Sequence, residues 1–337
     1  MKNYKVAIIG AGAVAGLHAA AIKAVDCAGL VAIVDVLPEK AEAFGALHGC
    51  KPYSDLEEML DAEKPDVAIL AIPTFLHCEY VERCGLKGVH VLCEKPIEMN
   101  LDQARKLIDN AKKYNIGLMI GQVVRFMQAY VKVKEMYDNG ELGDVMMAYL
   151  HRSSTVPARG GWIIDPNLGR GSIQDMHIHD VDFLEYMFGQ AKTVYAHAIR
   201  DYTGCFNQSF SSFTFPNGTK GVAECSFANK NSYPFTMSYR IGGTKATVEF
   251  YYRASVTDTK AVQNKSMVIF KDNEPPVTIG LNDEDAYALQ LEYFLNCIET
   301  GKEPEIVPYI DNLRSIAMLD AVRESAETEK VVEVVQI

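Results

Sequence analysis

Five short apolar runs alternate with helix-like stretches through the first third of this 337-residue chain. They consist almost entirely of Val, Ile, Leu and Ala, as expected of strands buried on both faces of a parallel sheet. Amphipathic segments between them complete repeated strand–helix–strand units. The runs cover residues 6–10, 30–35, 66–72, 90–94 and 116–121, with helices expected near 14–26, 38–48, 55–61, 75–86 and 101–114. We therefore predict an α/β domain with a doubly wound parallel sheet over residues 1–122.

The pattern changes after a further helix expected over residues 125–143. Strand-like segments then follow one another without long helices between them, and Asn217-Gly218 supplies the positive φ angles of a tight hairpin. Helical periodicity returns over residues 286–328. The strand-like segments cover residues 144–152, 192–200, 209–215, 221–228, 235–242 and 245–252. For residues 123–337 we predict an α+β domain with an antiparallel sheet.

The charge and cysteine content narrow the classes of partner. Lys and Arg number 33 against 44 Asp and Glu, and the net charge of -11 would repel nucleic acids and anionic membranes. The eight cysteines form no C-x-x-C pair or cluster, which favours reduced buried thiols. The strand pattern begins almost at residue 1, where a secretory signal would need a basic flank and an apolar run. We expect a cytoplasmic protein.

A glycine-rich turn follows the first apolar run. Residues 10–15 read G-x-G-x-x-A and open the first expected helix, the fingerprint of a dinucleotide-binding turn. Gly10 permits the tight turn, Gly12 lets the backbone approach a pyrophosphate, and small Ala15 lets helix and strand pack closely. The amides near Ala13 and Val14, at the helix N-terminus, would bind the pyrophosphate. The alternative is a glycine-rich turn that binds no dinucleotide, since such turns follow strands in many proteins.

Asp35 ends the second apolar run, 25 residues after Gly10, where an acidic side chain commonly accepts hydrogen bonds from the adenosine ribose. A 2'-phosphate would meet its negative charge, and no Arg follows to accommodate it, although Lys40 lies nearby. NAD is therefore favoured over NADP.

Lys95 follows the apolar run that ends at Cys93 and Glu94, so it stands at the carboxyl edge of the sheet, where open α/β sheets bind ligands. Pro96 restricts Lys95 to extended conformations. The motif is consistent with a Lys95 ammonium group that a stiff backbone orients toward a ligand. An ordinary surface lysine is the alternative.

Asp175 and His179 would stand at i and i+4 on one face of a helix beginning after Gly171. An imidazole can accept a hydroxyl proton near neutral pH, while a carboxylate or ammonium orients it. The neighbouring His177, Asp180 and Asp182 also raise a metal reading, but i and i+2 side chains point about 200° apart on a helix. We expect no metal.

These motifs together resemble the glucose-fructose oxidoreductase, inositol dehydrogenase and MocA (Gfo/Idh/MocA) family along nearly the whole chain. The resemblance rests on the G-x-G-x-x-A turn, AIPTFLH (71–77), GVHVLCEKP (88–96), GQVVRF (121–126) and the Gly-rich approach to Asp175. It implies an NAD-binding Rossmann domain, and a C-terminal substrate-binding domain whose open, mostly antiparallel sheet mediates homodimers or homotetramers.

The resemblance also implies an active site of Lys95, Asp175 and His179. His179 would accept the proton, Lys95 would hydrogen-bond the reacting oxygen and the nicotinamide-side ribose, and Asp175 would orient substrate or base. Glu94, Thr74 and His77 would lie along the cofactor. Two positions depart from the family: Thr74 replaces a common asparagine, and His177 replaces a frequent glycine.

The expected function is NAD-dependent interconversion of a secondary alcohol and a ketone on a sugar, inositol or related polyol. Two alternatives stay open: an enzyme that retains NAD and uses transient oxidation for glycoside cleavage or elimination, and a non-catalytic dinucleotide sensor. Arg125, Trp162, His177 and Tyr287 are candidate substrate contacts, with core or surface roles equally open. Loop 153–168 is expected to set substrate specificity.

Overall fold

A computed structural model describes residues 3–157, 161–257, 260–282 and 284–337, with the backbone alone at 255–257 and 260–264. The strands are β1 (Tyr4–Ile9), β2 (Ala28–Val34), β3 (Lys51–Tyr53), β4 (Val67–Leu70), β5 (His90–Glu94), β6 (Leu118–Gly121), β7 (Val145–Ser153), β8 (Thr193–Arg200), β9 (Phe206–Thr214), β10 (Lys220–Ser226), β11 (Thr236–Gly243), β12 (Thr247–Thr257), β13 (Lys260–Phe270), β14 (Val277–Ile279) and β15 (Val332–Glu333). The helices are α1 (Ala15–Ala24), α2 (Pro38–His48), α3 (Leu56–Glu63), α4 (His77–Leu86), α5 (Leu101–Lys113), α6 (Gln128–Asp138), α7 (Ser172–Asp175), α8 (His177–Phe188), α9 (Ala286–Thr300) and α10 (Tyr309–Thr328). Short 3-10 turns lie at Thr74–Leu76 and Val123–Phe126.

The chain divides into two compact units. The first combines the residues up to Phe126 with Glu284–Asn312, and the second combines Met127–Asp283 with Leu313–Ile337. This differs from the predicted division, which placed all of 123–337 in one domain. Helix α9 packs on α1 and on the 3-10 turn after β6, and its Leu291, Phe294 and Leu295 are buried. Residues 284–312 therefore belong with the first unit.

The first unit contains a six-stranded parallel sheet in the order β3-β2-β1-β4-β5-β6. All four residues of β4 and all four of β6 are buried, because helices cover both faces of such a sheet. The five predicted strands are confirmed, and β3 is an additional short edge strand. The strand order reverses between β1 and β4, which places a ligand crevice at their carboxyl ends.

The second unit contains a nine-stranded sheet in the order β14-β13-β12-β11-β7-β10-β9-β8-β15. Neighbouring strands run antiparallel except β10 and β7, so the predicted α+β architecture is confirmed. The β9–β10 hairpin turns through Asn217 and Gly218. Gly218 has the predicted positive φ, at +91°, but Asn217 does not, because the loop closes from Phe215 to Thr219 and is longer than a two-residue turn. β13 and β14 extend the sheet beyond the strands that the sequence pattern indicated.

Helices α7 and α8 cover one face of this second sheet, against β7, β9 and β10. Beside them lies an aromatic cluster in which Tyr130, Phe183, Tyr239 and Phe250 meet mostly edge to face. Ten of the twelve residues of α8 are buried, and the two that are only half-buried, His179 and Tyr186, share one face of the helix. In the described ranges, no helix is both long and apolar enough to cross a lipid bilayer.

Candidate active site

The glycine turn after β1 is shaped by two different requirements. Gly10 has a φ of +97°, and a Cβ there would lie 2.4 Å from the Ala71 carbonyl oxygen, so its own packing demands glycine. At Gly12 a Cβ would meet only that oxygen, at 3.8 Å, which is ordinary contact. Gly12 and Ala13 are exposed, and the first turn of α1 has no acidic residue. The turn and helix N-terminus fit a pyrophosphate.

Asp35 lies beside this turn and holds it in place. One carboxylate oxygen accepts the Ala11 N–H at 2.8 Å, and the other accepts the Leu37 N–H at 2.9 Å. A carboxylate has about four lone-pair sites, so Asp35 can accept ribose hydroxyls in addition. The side chain is half-buried at the end of β2, which suits both tasks.

In β5 and the turn that follows it, every residue from Val91 to Met99 is buried except Lys95, which is half-buried. The Lys95–Pro96 peptide bond is cis. The Glu98 carboxylate accepts the N–H groups of Cys78 and Met99, at 3.0 Å and 2.9 Å. These bonds hold the turn against α4, so the backbone that carries Lys95 is firmly placed.

The neighbours predicted to lie along the cofactor are mostly buried within the first unit. His77 is fully buried, with Nε2 3.2 Å from the Ile72 oxygen and Nδ1 3.1 Å from the Pro96 oxygen, and burial lowers its pKa. The His77 imidazole thus links the turns after β4 and β5, and a contact between His77 and the cofactor stays a prediction. Thr74 is 2% exposed, and Glu94 turns its carboxylate to His18.

Asp175 and His179 lie in the second unit, on two short helices. The predicted continuous helix is corrected here, because α7 ends at Asp175 and α8 begins at His177, with a turn at Met176. From Gly171 to Glu185, all of which the structure describes, every residue is buried except these two. The segment thus brings one carboxylate and one imidazole to the unit's surface.

The start of α7 is fixed by a buried polar network. Gly171 has a φ of +76°, and a Cβ there would lie 2.6 Å from the Asn207 side-chain oxygen. That oxygen accepts the Ser172 N–H at 3.0 Å, while the Asn207 amide nitrogen donates to Asp201 and Thr203. Sequence reasoning missed Asn207, which follows no motif and caps α7 from a neighbouring strand.

The remaining polar residues of α8 point into the unit. Asp180 pairs with Arg152 on β7 at 3.0 Å, and Asp182 accepts from the Ser315 hydroxyl at 3.2 Å. Burial raises the pKa of the Asp180 carboxyl, and the Arg152 guanidinium holds part of that rise back. Among the described residues, no group of three or more His, Cys, Asp or Glu side chains is placed to hold a metal ion.

His177 is wholly buried, with Nε2 3.0 Å from the Ser211 hydroxyl on β9. The prediction of a substrate contact is therefore wrong for His177. Its imidazole fills the helix–sheet core, where burial and the charge of Arg152 lower its pKa to about 3.

His177 should make the second unit sensitive to acid. Below pH 6.5 the unfolded imidazole takes up a proton, whereas the folded one stays neutral until about pH 3. Between about pH 7 and 5 this residue should lower the free energy of unfolding by ~2 kcal/mol, a loss that His177→Gln should remove. Urea titrations read by the sole tryptophan, Trp162, measure this. Equal pH slopes for His177→Gln and wild type would refute it, and exposed His197→Gln is the control.

Arg125 is also corrected as a substrate contact. It is 2% exposed, and its guanidinium donates to the Asp311 carboxylate at 2.7 Å and to the Ile306 oxygen at 2.8 Å. It ties the segment after α9 to the 3-10 turn within the first unit. Tyr287 and Trp162 are each half-buried in their own unit and stay candidates. Residues 158–160 of the predicted specificity loop lie outside the described residues.

His18 on α1 is a residue that sequence reasoning missed. It is 1% exposed, its Nε2 lies 2.7 Å from Glu94 Oε1, and the Tyr287 ring meets it edge-on at 5.2 Å. The available signal was a histidine among the small apolar residues of a buried helix face, since such a polar group needs a partner.

Both halves of the sequence match family models of known proteins. The sequence model of an oxidoreductase family with an NAD-binding Rossmann fold, GFO_IDH_MocA, matches residues 4–122, and that of the GFO/IDH/MocA C-terminal domain matches 130–249. Glucose-6-phosphate 3-dehydrogenase of Bacillus subtilis is 32% identical over 189 residues, which span 55% of this chain and 53% of that protein. Inositol 2-dehydrogenase of Rhizobium meliloti is 26% identical over 338 residues, 96% and 97% of the two chains.

Among solved structures, the aldose-aldose oxidoreductase of Caulobacter crescentus, crystallised with glycerol, superposes with a TM-score of 0.86. It is 24% identical, and the match covers 98% of this chain and 100% of that one, which shows a shared fold. The resemblance drawn from the sequence motifs is thereby confirmed. The chain belongs to the Gfo/Idh/MocA family of NAD-binding oxidoreductases.

Proposed function

We propose that this enzyme interconverts a secondary alcohol and a ketone on a sugar, inositol or related polyol, with NAD(H) as the redox partner. One observation carries the proposal. From Val91 to Met99 only Lys95 is half-buried rather than buried, and from Gly171 to Glu185 the same is true only of Asp175 and His179. Partly accessible groups that can exchange or donate protons, each set in a buried stretch, suit an enzyme, whereas a dinucleotide sensor has no need of proton-transfer groups.

Each of the three residues has a role in alcohol oxidation. His179 accepts the hydroxyl proton, and Asp175 orients the base or the substrate. The Lys95 ammonium donates a hydrogen bond to the reacting oxygen and stabilises the charge that develops there. A bound nicotinamide supplies the hydride acceptor for oxidation and the donor for reduction. The family resemblance joins Lys95 to the other two in one reaction.

NAD is proposed over NADP because Asp35 carries its charge at the end of β2. An Asp35→Asn variant keeps an acceptor oxygen for the glycine turn but removes the charge that would repel a 2'-phosphate. We expect the ratio of NADH to NADPH affinity to fall by about tenfold, or ~1.4 kcal/mol. Titrations followed by the fluorescence of each reduced cofactor measure it. Tighter binding of NADPH than NADH to the wild-type enzyme would overturn the assignment, and Lys40→Met tests the nearest lysine.

The substrate class is proposed from the relatives, whose names give glucose 6-phosphate and inositol as substrates. A screen of polyols, inositols, aldoses and glycosides for NADH formation, with their keto forms for NADH consumption, tests this class. Loop 153–168 and the half-buried Trp162 and Tyr287 are proposed to select among these compounds.

A homodimer or homotetramer through the second sheet is also proposed. The face away from α8 carries half-buried or exposed side chains from six neighbouring strands: Tyr149, Phe210, Val222, Arg240, Tyr251 and His197. Such a mixed aromatic and polar surface is typical of subunit interfaces. Sedimentation velocity on the intact chain measures the oligomeric state.

We propose a cytoplasmic location because all eight cysteines are free thiols.

A further inference from the structure

His18 and Glu94 connect two parts of the first unit that the sequence motifs treat separately. His18 lies on α1, whose N-terminus forms the dinucleotide turn, and Glu94 is the last residue of β5, directly before Lys95. His18 Nε2 and Glu94 Oε1 are 2.7 Å apart, and the two residues are 1% and 7% exposed. The buried contact therefore links the helix that follows the glycine turn to the turn that carries Lys95, and neither motif by itself predicts such a link.

The Glu94 carboxylate also contacts Lys95, through its other oxygen. Its second oxygen, Oε2, accepts the backbone N–H of Lys95 at 3.2 Å. Burial raises the pKa of Glu94, but the His18 hydrogen bond and the charges of His18 and Lys95 outweigh it, so the pKa lies below its ordinary value. Glu94 is therefore an anion that uses both oxygens, one on α1 and one on the lysine turn.

The surroundings leave Glu94 and His18 little freedom. A Cβ on Gly121 of β6 would lie 3.4 Å from the Glu94 carboxyl carbon, so the β6 backbone lies directly against the acid. The Tyr287 ring meets the His18 ring at 5.2 Å with an interplanar angle of 87°. Because a carboxylate only accepts hydrogen bonds, the proton between the pair belongs on His18 Nε2.

We propose that His18 is a positioning residue for Lys95: through Glu94 it locks the lysine turn to the helix that starts at the dinucleotide turn. This rests on the proposed role of Lys95 in hydride transfer. A displacement near 1 Å in a reacting group can cost about a hundredfold in rate, so a rigid link between the cofactor cradle and the ammonium has direct catalytic value.

Two substitutions at His18 separate positioning from packing. His18→Gln places an amide donor near the position of Nε2, whereas His18→Met has similar bulk and no donor. We expect His18→Met to lower kcat by about 10- to 100-fold, with the polyol KM and the NADH affinity changed by less than about threefold. His18→Gln should stay within about threefold of wild type. Equal losses in both variants, or wild-type kcat in His18→Met, would overturn the proposal.

Glu94→Gln provides the second arm and remains informative if His18→Met folds poorly. Because both residues act through one chain of hydrogen bonds, the His18→Met/Glu94→Gln double variant should be no slower than the slower single variant. Multiplying effects would mean that the two residues act separately and would contradict the chain.

Hydrogen exchange at the Lys95 amide tests the chain without any substrate. His18→Met should exchange this amide faster, while amides of β6 keep wild-type rates; unchanged exchange at Lys95 would count against the proposal. Failure of the proposed function and failure of the His18 proposal give different results. A wild-type enzyme that oxidises no polyol removes the proposed function, whereas an active wild type with a fully active His18→Met removes only this inference.

Discussion

His179→Asn and Lys95→Met should each lower kcat by ~10²–10⁴-fold, the usual contribution of a positioned proton-transfer group. Without the His179 imidazole the hydroxyl proton loses its proposed acceptor. Without the Lys95 ammonium the developing oxyanion loses its donor. Neither change touches the glycine turn or Asp35, so NADH should still bind, and Lys95→Met should weaken it by no more than the about tenfold that one lost hydrogen bond to the nicotinamide-side ribose would cost.

Steady-state kinetics on a verified substrate and fluorescence titration with NADH make this measurement. Exposed residues of the same type serve as matched controls: His48→Asn on α2 and Lys87→Met after α4 should keep wild-type turnover. Near wild-type kcat in His179→Asn or in Lys95→Met would remove the role assigned to that residue. Loss of NADH binding in Lys95→Met would instead place the lysine in the cofactor site alone.

Arg152→Met should destabilise the second unit by ~3–5 kcal/mol, because it leaves a buried carboxylate without its partner. Arg152 and Asp180 are both fully enclosed, and the guanidinium contacts both carboxylate oxygens and the Tyr130 hydroxyl. The tryptophan emission of Trp162, read in urea at neutral pH, reports this unit. Asp180 directly follows His179, so the same pair also anchors the helix that presents the proposed base.

The double variant Arg152→Met/Asp180→Leu should recover at least half of the lost stability, since no charge is then left buried alone. The pair of Lys134 and Asp138, 2.6 Å apart on α6 with the carboxylate exposed to solvent, is the comparison: Lys134→Met keeps most of the apolar stem and should cost about 1 kcal/mol or less. A loss in Arg152→Met as small as that in Lys134→Met would show that the buried pair does not hold α8.

The parallel sheet was predictable because its signal is local. Strands β1, β4, β5 and β6 are buried on both faces and read as unbroken apolar runs, and Gly10 and Gly218 have the positive φ angles that their turns require. The short edge strand β3 carries Pro52 and only three residues, so no run marks it.

What the sequence could not show were partners far apart in the chain. Arg125 resembled a pocket residue until Asp311 was seen to neutralise it, 186 residues later. His177 sits among charged residues in the sequence but is enclosed against Ser211 in the fold. Helix α9 has ordinary periodicity, and only its packing on α1 assigns it to the first unit.

The stoichiometry of NADH and ketone, measured when the enzyme is mixed with NAD and its preferred polyol, tests hydride transfer most directly. We expect one NADH formed for each ketone, with the hydrogen on the reacting carbon transferred to the nicotinamide, as a substrate deuterated at that carbon would show. Product that accumulates without net NADH would contradict it and would indicate an enzyme that keeps its cofactor and uses oxidation only in passing.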